Sequence, residues 1–207
     1  MSGIQAVVFD IGNVLLEWDP IRVYDAAIGA ERRRALFAEV DLEGMNEEID
    51  LGADFKETVF AKAEEHPDWA NEIRLWYTRW MDMASPAIAR TVRVKDALRA
   101  KGVPVFALSN FGIATFELAE KHYPFLSSFD QRFISGYLRM SKPDPRIYEA
   151  VECGTGITSS ALLFTDDRPE NIATARARGW HCHLFDGAAG FAERLVAEEL
   201  LTETEAV

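Results

Sequence analysis

The chain has 207 residues, 34 acidic against 22 basic side chains, a formal net charge of −12 and 48% hydrophobic residues. That length holds one domain with a full core, or a domain carrying a sizeable insertion. The acidic balance argues against nucleic acid or an anionic membrane as the main partner, and no apolar run approaches the roughly 20 residues that span a bilayer.

Ala6-Val7-Val8-Phe9 is the first predicted element, a short buried strand. It stops on Asp10, followed by Gly12. In an open α/β sheet, ligands bind at the carboxyl ends of the strands, so a carboxylate placed there is a candidate for chemistry. Residues 20 to 83 then carry a helical pattern. Asp19-Pro20 opens it with an N-cap and a proline at the first helical position. Leu36, Phe37 and Val40 follow at helical spacing, then Phe55, Val59 and Phe60, and finally Trp69, Ile73, Trp76 and Trp80. These aromatics are expected to form the segment's own small core, with Trp18 facing the strand end.

Ser85-Pro86 marks a restart, after which the pattern alternates. A helix over 86–101 ends at Gly102, a strand covers Val103 to Leu108, and a helix runs over 111–122. A short strand over 131–134 precedes a helix over 144–153. A strand over 162–165, a helix over 168–178 closing at Gly179 and a strand over 181–185 complete the pattern. Alternation of this kind predicts an α/β fold, a doubly wound parallel sheet with helices on both faces, interrupted by a helical insertion over residues 15–85.

Cys153 and Cys182 suggest no disulfide framework, and the N-terminus shows no basic region or cleavage site. A reducing cytoplasm is therefore the expected location. His181-Cys182-His183 places two imidazoles on one side of a strand, but no second ligand cluster completes a metal site.

Four features fall at strand ends or loops, in order: Asp10, Ser109-Asn110, Lys142-Pro143 at the opening of the helix after the third strand, and Asp166-Asp167. Three acids at two strand ends call for a compensating cation. Each residue type suits phosphoryl transfer. A carboxylate can accept a phosphoryl group and split one displacement into two. Mg²⁺ takes one or two carboxylates together with phosphate and water. A hydroxyl and a backbone N–H at a helix start cradle phosphate oxygens, and an ammonium neutralises the transferring group.

This set, in this order, resembles the haloacid dehalogenase superfamily, made up largely of Mg²⁺-dependent phosphatases, and the resemblance extends over essentially the whole chain. It implies a Rossmann-like core built from residues 1–14 and 86–207, with an α-helical cap over 15–85. By position, Asp10 would be the nucleophile and a metal ligand. Gly12 through its carbonyl and Asp166 through its side chain would complete the ligand set, and Asp167 would orient the metal's waters. Ser109, Asn110 and Lys142 would bind phosphate, with Lys142 also steadying the nucleophile. The implied partners are Mg²⁺ and a small phosphorylated substrate, and the implied state is a monomer or homodimer.

One position departs from the family's phosphatase pattern. Where a second Asp usually serves as general acid, this chain has Gly12, in the run Phe9-Asp10-Ile11-Gly12-Asn13-Val14. General acid–base help contributes about 10²–10⁴-fold, so either Glu17 or Asp19 supplies the proton, or the leaving group needs little help. The latter would favour a sugar 1-phosphate, whose anomeric oxygen carries charge more easily than a simple alkoxide. Two alternatives stay open at this point. One is a metal-independent 2-haloacid dehalogenase, against which Gly12-Asn13 and the acid pair both count. The other is a non-catalytic phosphate- or metal-binding relative. A signalling receiver domain would carry its acids in a different order and lack the insertion.

Overall fold

The computed structural model describes residues 3–206. Five parallel strands form one sheet: β1 (Ala6–Phe9), β2 (Val105–Ser109), β3 (Gln131–Ile134), β4 (Leu162–Asp166) and β5 (His181–Leu184), in the order β3-β2-β1-β4-β5. β1 is central. The chain builds outward to β2 and β3 on one side, then returns to place β4 and β5 on the other. The strand order therefore reverses between β1 and β4, which opens a crevice at their carboxyl ends. Register fixes what stands there. Phe9 lies opposite Thr165 and Ala107, so the residues just past β1 face the ends of both neighbours.

Both faces of the sheet are covered, which is why its three inner strands, β1, β2 and β4, are buried along their length and read as apolar runs rather than alternating patterns. Val7 and Phe9 point to one face, against Val94 and Leu98 of α7 (Ala89–Ala100), Phe116 of α8 (Ile113–His122) and Phe191 and Leu195 of α12 (Ala188–Ala197). Ala6 and Val8 point to the other, against Ile147 and Val151 of α10 (Pro145–Thr155) and Ile172 of α11 (Pro169–Ala177). Gly102 and Gly179 end α7 and α11 as predicted. Their φ values of 77° and 88° are open to glycine without the Cβ clash that other residues meet.

Between β1 and α7 lie six helices: α1 (Pro20–Ile28), α2 (Ala30–Glu39), α3 (Leu42–Asp50), α4 (Phe55–Glu65), α5 (Ala70–Thr78) and α6 (Trp80–Met83). Asp19 caps α1 through the Arg22 amide, and Pro20 takes the first helical position, as predicted. The aromatics pack on one another: Trp18 lies 5.9 Å from Trp76 and 5.8 Å from Trp80, ring centre to ring centre, and Trp80 lies 5.4 Å from Phe111. This interior is continuous with the core on the Val7 and Phe9 face of the sheet, so the helical segment shares that core rather than enclosing a separate one.

One element departs from expectation. Lys142-Pro143 does not open a helix. A short helix, α9 (Ser135–Leu138), follows β3 directly, and α10 starts at Pro145 with Asp144 as its cap, accepting from the Arg146 amide at 2.9 Å. Lys142 thus sits in the connecting loop. Among the described residues, no helix is long and apolar enough to cross a membrane.

Candidate active site

Asp10 follows β1 by one residue and is nearly buried at the sheet's carboxyl edge. Its Oδ1 accepts from the Ile11 amide at 2.7 Å and from the Ser109 hydroxyl at 2.7 Å, and the Lys142 ammonium lies 2.8 Å away. The same ammonium donates to Oδ2 of Asp166 at 2.6 Å. A single fully sheltered lysine therefore bridges the carboxylates that end β1 and β4. Burial pushes the Asp10 carboxyl up to about 7, with Lys142 opposing the rise and Asp166 adding to it. Burial alone would lower the Lys142 ammonium, but the two carboxylates more than offset it and hold it above the usual lysine range.

Asp166 is held from several sides. Its Oδ1 accepts from the Arg168 amide at 2.8 Å, and Asn171 donates to both oxygens at 3.0 Å. Asp167, half-buried, accepts from Asn13 at 3.0 Å, and burial raises its carboxyl against that bond. Asn13 stands at φ 54°, in the left-handed region that asparagine tolerates better than most residues. Its side-chain oxygen also accepts from the Trp18 amide at 3.0 Å, tying the acid pair to the start of the helical segment.

Oxygens of Asp10, Asp166 and Asp167 all lie within 4.8 Å of one another, the one such cluster among the described residues. Three carboxylates against one ammonium leave two negative charges uncompensated in a sheltered site. An all-oxygen set with that deficit fits a hard divalent cation. His181, Cys182 and His183 form no such cluster.

The remaining expected residues lie at or beside the same strand ends. Ser109 ends β2 beside Asp10. The Asn110 side chain is committed to the Lys142 backbone, donating to its carbonyl at 2.9 Å and accepting from its amide at 2.8 Å. Asn110 thus positions the loop that carries Lys142. Gly12 lines the cavity in front of Asp10, and so does Trp18. Asp19, by contrast, is taken up by the α1 cap and by Arg22. From the sequence, Asn13 is named only as the neighbour of Gly12, with no bond to Asp167, and Asn171 is not named. A readable signal existed for Asn171: Pro169 starts α11, so an asparagine two residues later falls in the first turn, beside the strand end.

The site opens into a cavity of about 910 Å³. Its far wall comes from the helical segment, with Phe37, Val40, Leu42, Trp76 and Trp80 among the lining side chains, and Ile21 and Leu51 at exposed positions.

A family model described as haloacid dehalogenase-like hydrolase matches residues 4–179. The chain is 27% identical over 202 residues to the sesquiterpene phosphatase astK of Aspergillus oryzae, covering 89% of this chain and 92% of that protein. It superposes on a HAD-like family hydrolase from Porphyromonas gingivalis with a TM-score of 0.73 at 22% identity, over 95% of this chain and 98% of that one. The HAD family enzyme bt-2542 from Bacteroides thetaiotaomicron, in complex with magnesium and inorganic phosphate, gives a TM-score of 0.69 at 21% identity, over 89% and 95% of the two chains. The family match takes in four of the five strands together with the whole helical segment between β1 and α7, and the chain belongs to the haloacid dehalogenase-like hydrolases.

Proposed function

We propose that this protein is a Mg²⁺-dependent phosphatase acting on a small phosphate monoester whose alcohol is largely hydrocarbon. The observation that carries the reading is the Asp10–Lys142–Asp166 bridge at the floor of a cavity lined by Phe37, Val40, Leu42, Trp76 and Trp80, with Asp41, Glu43 and Glu47 among its acids. Asp10 is the nucleophile. Asp10, Asp166 and the Gly12 carbonyl hold the metal, with Asp167, fixed by Asn13, orienting its waters. Bound there, Mg²⁺ neutralises charge on the phosphoryl oxygens. Ser109 and Lys142 bind phosphate through their side chains, and Asn110 through its backbone amide, its side chain being engaged elsewhere.

Residues 15–85 act as a cap that shelters the acyl phosphate from bulk water and supplies the wall that contacts the alcohol. A volume of about 910 Å³ is large for a small-molecule site, for which about 300–1,000 Å³ is usual. Ile21, Val40, Leu42 and Leu51 suit a hydrocarbon, whereas Asp41, Glu43, Asn46 and Glu47 from the same helical segment are the groups there that could bond sugar hydroxyls. The relative whose name specifies a sesquiterpene phosphatase supports the same direction. A sugar 1-phosphate, expected from Gly12 alone, is the second substrate class. The acid pair at the end of β4 disfavours a metal-independent dehalogenase.

The test is a panel of farnesyl phosphate, a sugar 1-phosphate, the matching 6-phosphate and 2-chloropropionate, with Mg²⁺ or with excess chelator. Hydrolysis of farnesyl phosphate should require Mg²⁺. Its kcat/KM should exceed that of the sugar 1-phosphate by more than about tenfold, since each buried CH₂ contributes about 0.8 kcal/mol. Full activity in chelator would remove the metal from the account, and preference for either sugar phosphate would remove the apolar alcohol.

A further inference from the structure

An alkoxide leaving from phosphorus needs a proton, and Gly12 cannot give one. The acids that line the cavity besides Asp10 are Glu17, Asp41, Glu43, Glu47, Asp50 and Asp167. Glu17, Asp41, Glu43 and Glu47 are exposed, and Asp19 caps α1. Asp167 is sheltered, but it is tied to Asn13 beside the cluster of acids. Asp50 remains.

Asp50 is the last residue of α3 and is clamped to the core although it belongs to the helical segment. Its backbone carbonyl accepts from the Ser135 hydroxyl at 2.6 Å, and that hydroxyl in turn accepts from the Phe111 amide at 2.8 Å, two residues past Ser109. Its Oδ2 accepts from Asn46, one turn back, at 3.0 Å. The carboxyl also accepts from the Gly112 amide and lines the cavity, and in its acid form it has one O–H to offer there. A helix C-terminus disfavours a negative charge, and burial pushes this carboxyl up to about 7. The Gly112 and Asn46 amides oppose the rise, while Glu47 and Asp10 add to it. A group so placed keeps an appreciable acid fraction near neutral pH, as a general acid must.

We propose that Asp50 is the catalytic proton donor that replaces the acid missing at Gly12, an assignment that rests on the phosphatase reading above. As an Asp10 carboxylate oxygen bonds to phosphorus, the ester P–O bond breaks and its electron pair stays on the alcohol oxygen. That oxygen takes the Asp50 proton, giving the free alcohol, an aspartyl phosphate and the Asp50 carboxylate. In the second half, water bonds to phosphorus while Asp50 takes one of its protons. The Asp10–phosphate bond breaks, which frees inorganic phosphate and returns Asp50 to its acid form.

The experiment compares farnesyl phosphate, which needs the proton, with p-nitrophenyl phosphate, whose phenolate leaves without one. Asp50→Asn keeps the shape and should lower kcat/KM on farnesyl phosphate about 10²–10³-fold, while the aryl ester falls less than about tenfold. Equal losses on both esters would make Asp50 structural, and no loss on farnesyl phosphate would remove it from catalysis; either result overturns the proposal. Gly12→Asp in the wild-type background decides independently of how Asp50→Asn folds, because a Cβ on Gly12 meets nothing within 4 Å. Gly12 also offers its carbonyl to the metal, so only a gain is decisive in this variant, and with Asp50 already donating none above about threefold on farnesyl phosphate is expected. A gain of about 100-fold would show that the site had no donor and would overturn the assignment. Wild type inactive on both esters with Mg²⁺ would overturn the phosphatase reading itself, and the donor with it.

Discussion

Asp10→Asn should lose phosphatase turnover by at least about 10⁴-fold while the fold holds. Asparagine has the size of aspartate and keeps an oxygen to accept from Ser109 and Ile11, so the local hydrogen bonds survive. It has no carboxylate to attack phosphorus, and Asp166, the other carboxylate at Lys142, is fully buried and held by the Arg168 amide and Asn171. Removing the charge also changes the electrostatics in a checkable way. In the metal-free wild type, Asp10 and Asp166 share one ammonium; in the variant, Lys142 and Asp166 form a neutral pair. The metal-free variant should therefore melt at or above the wild-type temperature. Mg²⁺ should raise the wild-type Tm by preferential binding to the folded state and leave the variant's nearly unmoved. Thermal scans with and without Mg²⁺, beside a phosphate-release assay, check both halves. Turnover above roughly 1% of wild type contradicts the nucleophile assignment.

Lys142→Met should give the largest loss of stability. Methionine fills a similar volume but leaves Asp10 and Asp166 facing each other without compensation, both nearly or fully buried. Removing one partner of a buried charge pair costs about 3–5 kcal/mol. For a chain of this length that is a fall in Tm of roughly 6–20 °C. The metal-free protein should show the full fall. Excess Mg²⁺ should recover part of it, because a dication occupies the same field, whereas turnover should stay lost. An unchanged metal-free Tm would mean that the bridge is not what holds the two carboxylates together.

Much of the core was legible because its strands are covered on both faces. β1 and β4 read as apolar runs with acids at their ends, as strands buried on both faces do. Asp19-Pro20 gave the start of α1, and Gly102 and Gly179 gave two helix ends, each through a local backbone preference. The internal breaks of the helical segment carried the same kind of signal. Asp41 accepts from the Gly44 amide and Asp54 from the Glu57 amide, each at 2.8 Å, as caps for α3 and α4. Lys142 was legible as a residue but not as a place. What carries it to Asp10 is a loop held by the Asn110 side chain, and a loop has no periodicity to read. Asp50 was invisible for a stronger reason. It lies 40 positions from Asp10 in the sequence, and only the docking of α3 on Ser135 and Phe111 brings it to the cavity. Asn13 looked like a turn residue, and nothing local announced that its amide would hold Asp167.

The central claim is that the phosphoryl group rests on Asp10 between leaving the alcohol and meeting water. Stereochemistry at phosphorus tests it whatever the lifetime of the intermediate. A phosphate ester made chiral at phosphorus with oxygen isotopes and sulfur is hydrolysed by the wild type with Mg²⁺ in isotopically labelled water, and the configuration of the released thiophosphate is measured. Two in-line displacements, first by Asp10 and then by water, predict net retention. Net inversion would show one direct attack by water and contradict the account.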